Sequence, residues 1–476
     1  MMWETVIGLE THVELATRSK IFCGCSTAFA GEPNTQCCPV CMGLPGTLPV
    51  LNRRVVELAL RAGLALNATI TPHTRFDRKN YFYPDLPKAY QVSQLYLPIA
   101  TNGWLELEES GRRIRIHELH MEEDAGKLIH EGDATRIDYN RCGVPLIEIV
   151  TEPDFSRADQ VVAYLEQLSQ TLQYLGISDC KMQEGSLRCD VNLSVRPAGS
   201  DTLGVRTEMK NLGSLRAVAR AIEYESRRQI RLLEAGGQVE QQTLRWDEDK
   251  QVSVPLRTKE AAADYRYFPE PNLPVVHVDE ELLSAARSGM GELAWEKRAR
   301  YREVWGLNGE ECRTLTTRRE LAEYFEATVA AGAQPKSAAV WVCGQVLRRM
   351  GQYGVSVEGL KLTPATLAKI IALVEQGRIN RPAGVEVLDG VFMGGDPEEY
   401  VTAHGLEQLR DDGAVQRAVE QVLCTHPEQV EQYRQGKEKV MGFLVGQTVR
   451  VLGQKADPKL VSQRLRQALL EEKSNS

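Results

Sequence analysis

The sequence predicts an α+β region that extends to about residue 290 and an all-α region that follows it. In the first region, short runs that alternate apolar and polar residues are mixed with helix-like stretches near 53 to 66, 158 to 175 and 214 to 235. In the second region, helix start and stop signals recur, as where Thr363 caps an apolar stripe that Gly377 ends. The chain has 476 residues, which is too long for a single core and allows roughly two to four domains.

The first strand-like segment, ETVIGLETHVELAT, places polar residues at every second position. In a strand, Glu10, His12 and Glu14 therefore share one face, while Leu9 and Val13 line the other. The apolar face can be buried. The polar face is either plain solvated surface or the start of a site for a hard cation, which oxygen ligands with one histidine would suit.

A cluster of cysteines follows this strand. Five of the eleven cysteines lie between positions 23 and 41, and such clustering indicates a metal site rather than disulfides. Two close pairs, Cys23 with Cys25 and Cys38 with Cys41, can supply four thiolates at the tetrahedral geometry of structural zinc. The alternative is a set of buried thiols that act as small hydrophobic side chains.

Later segments repeat the alternation of the first strand. SLRCDVNLSVR and GVRTEMKN each separate an apolar face from a polar one, VPLIEIVTEPD places a glutamate within an apolar strand, and LHMEEDAGK sets acidic residues before a turn. Several unrelated solvated faces are one interpretation of these patterns. The other is that the strands pair into one sheet, where these side chains converge on a single polar face: Glu10, His12, Glu123, Glu148, Asp190 and Glu208.

Such a convergence of carboxylates would require cations. Two carboxylates ~4 Å apart repel by about 4 kcal/mol at an effective dielectric constant near 20, so the cluster needs positive charge to stay ionised. Mg²⁺ would meet that need. The sequence lacks a P-loop pattern, but it offers basic residues of the kind that a triphosphate requires beside the metal: Lys79, Arg188, Arg206 and Lys210.

Composition excludes several classes of protein. The formal net charge of −8 argues against non-specific coating of nucleic acid. No apolar run approaches the ~18 residues that a membrane span needs, and the N-terminus lacks signal-peptide features, so we expect a cytoplasmic protein. The sequence has no common setting for a serine or cysteine nucleophile. We therefore do not expect this chain to release its own ammonia from an amide.

The C-terminal end is locally basic. Residues 437 to 476 hold eight Lys and Arg against four Asp and Glu, a balance of +4 within an acidic protein. Gly442 and Gly446 would share one helix face there, and Asp457 and Pro458 are expected to open a terminal helix. Nucleic-acid contact and close helix packing beside a solvated basic face both remain open interpretations.

Taken together, these segments resemble the GatB family, the B subunits of glutamyl/aspartyl-tRNA amidotransferases. The resemblance rests on GLETHVEL, FDRKNYFYPDLPKAYQ, LHMEEDAGK, PLIEIVTEPD, EGSLRCDVN, DYRYFPEPNLP and GKEKVMGFLVGQ, in the family's order across nearly the whole chain. It implies a cradle domain related to the glutamine synthetase fold at 1–292, with a zinc-binding insert at 22–42. A helical domain at 293–405 and a YqeY-like, tRNA-binding tail at 406–476 would follow.

The resemblance also implies a reaction and partners. Ammonia from a GatA-type amidase, in a complex with a GatC-type small subunit, would reach this chain. With ATP and Mg²⁺, the chain would phosphorylate the side-chain carboxylate of Glu-tRNA(Gln), Asp-tRNA(Asn) or both, and ammonia would displace phosphate.

The resemblance implies roles for particular residues as well. Those expected to bind Mg²⁺ are Glu10, His12, Glu123 and Glu148. Those expected to take part in catalysis are Lys79, Glu123, Asp190 and Glu208, with Arg206 and Lys210 facing ATP phosphate. A non-catalytic tRNA-binding scaffold that contains zinc and a free-standing ammonia ligase of glutamine synthetase type are the alternatives. The carboxylate faces disfavour the scaffold, and the basic tail disfavours the free-standing ligase.

Overall fold

The structure is a computed structural model that describes residues 2–258, 265–408, 412–435, 437–452 and 458–474. Its contacts divide the chain into two units, Met1–Glu296 and Lys297–Ser476. Each unit has its own hydrophobic core. Asp457, which the sequence predicts at the start of the terminal helix, lies outside the described residues.

The strands of the described chain belong to the first unit. In chain order they are β1 (Trp3–Glu14), β2 (Thr69–Ile70), β3 (His73–Thr74), β4 (Asp77–Asn80), β5 (Tyr90–Ser93), β6 (Ala100–Glu106), β7 (Arg113–Glu123), β8 (Lys127–Glu131), β9 (Ala134–Asp138), β10 (Pro145–Thr151), β11 (Leu187–Pro197), β12 (Thr207–Lys210), β13 (Gln242–Asp247), β14 (Val252–Thr258), β15 (Phe268–Pro269) and β16 (Val276–His277).

Helices occur along the whole described chain. They are α1 (Arg53–Ala65), α2 (Ala158–Tyr174), α3 (Leu215–Glu234), α4 (Glu280–Ser288), α5 (Ala294–Trp305), α6 (Gly309–Leu315), α7 (Arg319–Ala330), α8 (Pro335–Trp341), α9 (Leu347–Tyr353), α10 (Pro364–Glu375), α11 (Arg381–Val391), α12 (Pro397–Ala403), α13 (Asp412–Thr425), α14 (Pro427–Arg434), α15 (Val440–Val451) and α16 (Pro458–Ser474). A π-helical turn, Val342–Val346, joins α8 to α9.

A nine-stranded sheet forms the centre of the first unit, in the order β14-β13-β12-β11-β1-β10-β7-β6-β2. The long strand β1 lies in its middle and pairs antiparallel with β11 on one side and β10 on the other. Within the described sheet, only β12 and β13 run parallel. Smaller sheets join β15 with β4 and β5, β16 with β3, and β8 with β9.

One face of this sheet is buried against helices. Ile7, Leu9 and Val13 of β1 are fully or almost fully buried, in a core that also holds the apolar faces of α1, α2 and α3. Burial of each such side chain contributes about 1.5–3 kcal/mol relative to exposure. The alternation of β1 therefore fixes its other face as the polar one.

Side-chain caps start two of the helices that the sequence predicts. Ser214 precedes α3 and accepts a hydrogen bond from the backbone N–H of Ala217, and Thr363 does the same for Thr366 at the start of α10. Each cap satisfies a backbone donor that has no partner within its helix. Gly377 follows α10 with a φ of 65°, a backbone conformation that glycine adopts readily.

The second unit is helical throughout its described residues. One hydrophobic cluster joins helices from α5 to α12, and another joins α13 to α16. None of the described helices is long and apolar enough to cross a membrane. The prediction of a mixed α and β region followed by helices is confirmed. The relation to the glutamine synthetase fold and the boundaries at 292 and 405 stay predictions.

Candidate metal and phosphate site

The polar face of the central sheet gathers side chains from five adjacent strands, β12, β11, β1, β10 and β7. In the observed register, His12 lies opposite Glu148 on β10, and Glu10 lies opposite Asp190 on β11. Residues directly opposite each other on paired strands point to the same face of a sheet. The pairing of the strands therefore places side chains from distant parts of the sequence on one wall.

The first acidic cluster consists of His12, Glu122 and Glu148. The His12 Nε2 atom lies 3.6 Å from Glu122 Oε1 and 3.5 Å from Glu148 Oε2. Burial raises the pKa of Glu122, with repulsion from Glu148 adding to the effect and His12 opposing it. One potential ligand atom from each residue lies within 4.8 Å of the others. Two carboxylates and an imidazole in this arrangement can hold a divalent cation.

His120 completes this cluster, although the sequence analysis did not select it. Its Nε2 atom lies 2.9 Å from Glu148 Oε2. Burial alone would lower the pKa of His120, but the carboxylates of Glu148 and Glu118 outweigh it and raise the pKa to about 10. The imidazolium therefore supplies positive charge to the cluster. The available signal was the alternation of Glu118, His120 and Glu122 on one face of β7.

The second acidic cluster consists of Glu10, Asp190 and Glu208, whose carboxylate oxygens also lie within 4.8 Å of one another. Lys210 forms ion pairs with Asp190 and with Glu208, the latter at 2.9 Å. Burial opposes the charge on Lys210, but these two carboxylates raise its pKa. Burial and then repulsion from Glu148 raise the pKa of Glu10, which indicates that the two clusters are neighbours.

Lys79 presents a positive charge beside the first cluster. Its Nζ atom lies 4.9 Å from the centre of the Tyr265 ring and 6.0 Å from that of Tyr81. Its charge favours the ionised forms of Glu122 and Glu148. Within the described part of the chain, no hydrogen bond or ion pair engages the Lys79 ammonium group. It is therefore available to an anion.

The other predicted basic residues differ from Lys79. The Arg188 Nη2 atom donates to Asp124 Oδ2 at 2.7 Å, beside the first cluster. Arg206 precedes β12 and is exposed, and no ion pair joins it to a carboxylate of the described chain. The structure thus brings Lys79, Lys210 and Arg188 to acidic groups of this wall, and the role of Arg206 stays a prediction.

The structure places Glu123 apart from the residues with which the sequence analysis grouped it. Glu123 is buried on the opposite face of β7, where it forms an ion pair with Lys88 and accepts a hydrogen bond from the Val92 backbone N–H at 2.9 Å. The neighbouring residue Glu122 meets His12 instead. The physical reason is strand alternation: Glu122 follows Glu118 and His120 on the polar face, so Glu123 must point the other way.

The four cysteines of the predicted zinc site converge. The sulfur atoms of Cys23, Cys25, Cys38 and Cys41 all lie within 4.8 Å of one another. The backbone N–H of Cys38 donates to the Cys41 sulfur at 3.2 Å. Four thiolates at this spacing can hold a metal ion, and this donor set suits tetrahedral zinc.

Profiles of known protein families match two parts of the chain. The sequence profile described as the GatB/GatE catalytic domain matches residues 5–284, and the profile described as the GatB domain matches residues 323–469. The chain belongs to the GatB family. The first of these two matches covers the sheet and both acidic clusters.

Several curated relatives of the GatB family match along almost the entire chain. Each of the following is named as the B subunit of an aspartyl/glutamyl-tRNA(Asn/Gln) amidotransferase. The protein of Lachnoclostridium phytofermentans is 53% identical, with 98% of this chain and 99% of the relative covered. The protein of Caldicellulosiruptor saccharolyticus is 50% identical over the same shares. The protein of a Thermoanaerobacter species is 49% identical, with 98% of this chain and 100% of the relative covered.

Proposed function

We propose that this chain is the component of a tRNA-dependent amidotransferase that activates the side-chain carboxylate of glutamate or aspartate misacylated on tRNA. Membership in the GatB family makes the chain part of a carbon–nitrogen ligase. The relatives named for aspartyl- and glutamyl-tRNA cover it almost from end to end. That coverage supports the same transamidation here, in the cytoplasm where tRNA is charged.

The proposed chemistry follows from the poor reactivity of a carboxylate toward ammonia. Its oxygen is a poor leaving group until it is phosphorylated. Transfer of the γ-phosphoryl group of ATP to that oxygen gives an acyl phosphate and ADP. Ammonia from a partner amidase then attacks the acyl carbon, inorganic phosphate leaves, and the nitrogen loses a proton to give the amide.

The acidic clusters are the proposed Mg²⁺-binding sites. The first would use His12, Glu122 and Glu148, and the second would use Glu10 with Asp190 and Glu208. Mg²⁺ bound there would neutralise phosphate charge and act as an electrostatic template. The ordering of the clusters does not depend on the ion alone, because His120 holds Glu148 in the first and Lys210 holds Asp190 in the second.

Lys79 is the residue of this chain that we propose contacts the phosphate groups of ATP. Its ammonium group faces the first cluster and is held over the rings of Tyr81 and Tyr265. A cation placed there can stabilise the γ-phosphoryl group during transfer, while negative charge shifts toward the leaving ADP. Lys210 would help in the same way if phosphate displaced one of its carboxylates, and Arg206 would approach from the exposed end of β12.

The cysteine cluster is proposed to hold zinc in a structural role. Four protein thiolates fill a tetrahedral coordination shell and leave no position for substrate. Zinc there would fix the fold of the segment between β1 and α1. It would take no part in phosphoryl transfer.

The C-terminal helices are proposed to contact tRNA, and GatA-type and GatC-type subunits are proposed to complete the assembly. Gly442 and Gly446 of α15 are exposed, and no atom of the described residues would meet a Cβ built on either one within 4 Å. The glycine face is therefore not used for helix packing inside the described chain. With Lys439 and Arg450 at the two ends of α15, this face favours a phosphate backbone.

The observation that carries the proposal is the position of Lys79: its ammonium group lies beside the first acidic cluster, and none of the described residues forms a hydrogen bond or ion pair with it. The test is ADP release by the complete complex, with its partner subunits, in the presence of ATP, Mg²⁺, ammonium and Glu-tRNA. We expect Glu122→Gln and Lys79→Met each to reduce tRNA-dependent ADP release by about 10²-fold or more, as loss of a charged transition-state contact does. Glu106→Gln is the control, because Glu106 is exposed and pairs with Arg113 at 2.9 Å.

The same assay separates the alternatives. A scaffold would release no ADP in any of these mixtures, and a small-molecule ligase would release it with free glutamate in place of Glu-tRNA. If Glu122→Gln turned over as fast as Glu106→Gln, the proposed site would be wrong.

A further inference from the structure

Lys20 is a fully buried lysine beside the cysteine cluster. Its side chain is 0% exposed, and its Nζ atom lies 3.7 Å from the Cys41 sulfur and 3.4 Å from the backbone oxygen of Tyr139. The Lys20 backbone N–H donates to the Cys25 carbonyl at 3.0 Å. Both the main chain and the side chain of Lys20 therefore form hydrogen bonds with cysteines of the cluster, and the side chain also contacts the neighbouring Tyr139 backbone.

A buried ammonium group needs an anion close by. Removing an unpaired charge from water costs several kcal/mol, so such groups are paired in folded proteins. Among the residues that the structure describes, no carboxylate forms an ion pair with Lys20. Of the described groups that can carry negative charge, the one at hydrogen-bond distance from Lys20 Nζ is the Cys41 sulfur, which also accepts a hydrogen bond from the Cys38 backbone N–H.

The contact between Lys20 and Cys41 would offset the net negative charge of a metal-bound tetracysteine site. Four thiolates around one divalent ion leave a net charge of −2, which is costly in a partly buried site. A buried ammonium group halves that charge and donates an N–H···S hydrogen bond to one ligand. Outer contacts of this kind commonly change metal affinity by about 10–100-fold.

We propose that Lys20 is a positioning residue of the tetracysteine metal centre, which it stabilises by donating a charged hydrogen bond from Nζ to the Cys41 sulfur. The inference rests on the proposed zinc site and goes beyond it, since it assigns metal retention to a residue that is not a ligand. It also gives a reason for a lysine at a fully buried position, where an apolar residue would otherwise cost less.

The test is metal affinity in the full-length chain, measured by competition of Zn²⁺ with a chromophoric chelator. We expect Lys20→Met, which keeps most of the side-chain length, to weaken Zn²⁺ binding by about 10–100-fold. Arg18→Met is the matched control, because it removes the same charge from an exposed position two residues away. Equal affinities of the two variants would overturn the proposal.

A second readout separates this role from simple packing. In the Co²⁺-loaded protein, loss of the hydrogen bond to sulfur should shift the thiolate-to-cobalt charge-transfer band of Lys20→Met and leave that of Arg18→Met unchanged. An unshifted band would also contradict the proposal. If the wild-type chain bound neither Zn²⁺ nor Co²⁺, the metal site itself would be wrong, which is a different outcome.

A third variant covers the case in which Lys20→Met does not fold with intact cysteines. In a Cys41→Ser background the ammonium group has already lost its sulfur partner. Lys20→Met should then leave the melting temperature unchanged or raise it, because it removes a buried charge without an anion. A further fall in melting temperature, equal to that in the intact background, would show that Lys20 acts independently of Cys41.

Discussion

Replacement of Glu148 by glutamine should remove the negative charge that contributes most to keeping His120 protonated. The two side chains meet at 2.9 Å, and the imidazole is buried. The pKa of His120 rises from its ordinary 6.5 to about 10, which corresponds to about 5 kcal/mol of stabilisation of the charged form at 1.36 kcal/mol per pKa unit. Breaking a buried pair on one side typically costs about 3–5 kcal/mol. We therefore expect Glu148→Gln to lower the free energy of unfolding at pH 7 by that amount.

The pH dependence has a definite sign. Because the pKa of His120 is higher in the folded than in the unfolded chain, its contribution to stability is complete below pH 6.5 and is lost as pH rises through about 10. Without divalent ions, the wild-type chain should lose stability between pH 7 and pH 10. Glu148→Gln should show a smaller loss over this range, since the carboxylate that raises the pKa of His120 most is then gone.

The assay combines urea unfolding at several pH values with NMR titration of the His120 ring. The molecule provides a matched control in His117 and Glu152, which also meet at 2.9 Å but are exposed. Glu152→Gln should change the free energy of unfolding by less than about 1 kcal/mol, as exposed ion pairs do. If the His120 ring titrated at the same pH in Glu148→Gln as in the wild type, the reasoning would be refuted.

Two further predictions concern other charged groups. Glu225 is fully buried and accepts hydrogen bonds from Thr207 and Gln229, both at 2.9 Å, so Glu225→Ala should lower the free energy of unfolding by about 3 kcal/mol in urea titrations. An effect no larger than that of exposed Glu223→Ala on the same helix would contradict this. Lys210→Met should tighten Mn²⁺ binding at the second acidic cluster by about tenfold, because it removes a competing cation; unchanged affinity in an EPR titration would show that the cluster is not the Mn²⁺ site.

The sequence by itself determined the features that depend on the periodicity of strands and helices and on interactions between residues close in sequence. Alternation predicted that Glu10 and His12 share the polar face of a strand whose Leu9 and Val13 are buried, and β1 has this arrangement. It predicted the helices because caps and apolar stripes act within a few residues of each other. It also predicted the pairs of cysteines, since residues one to three positions apart are always near neighbours.

Only the tertiary structure decided which of these side chains meet. Glu122 and Glu123 are adjacent acids, and β7 turns the first toward His12 and the second toward Lys88. His120 gains its role from the register that sets it opposite Glu148, a residue from another part of the chain.

Lys20 gains its role in the same way, because the fold buries it beside Cys41. Strand register and burial depend on contacts between distant segments, and the cost of an unpaired charge appears only once water has been excluded. A local pattern can therefore predict the face on which a residue lies, but its partner is determined only when the chain has folded.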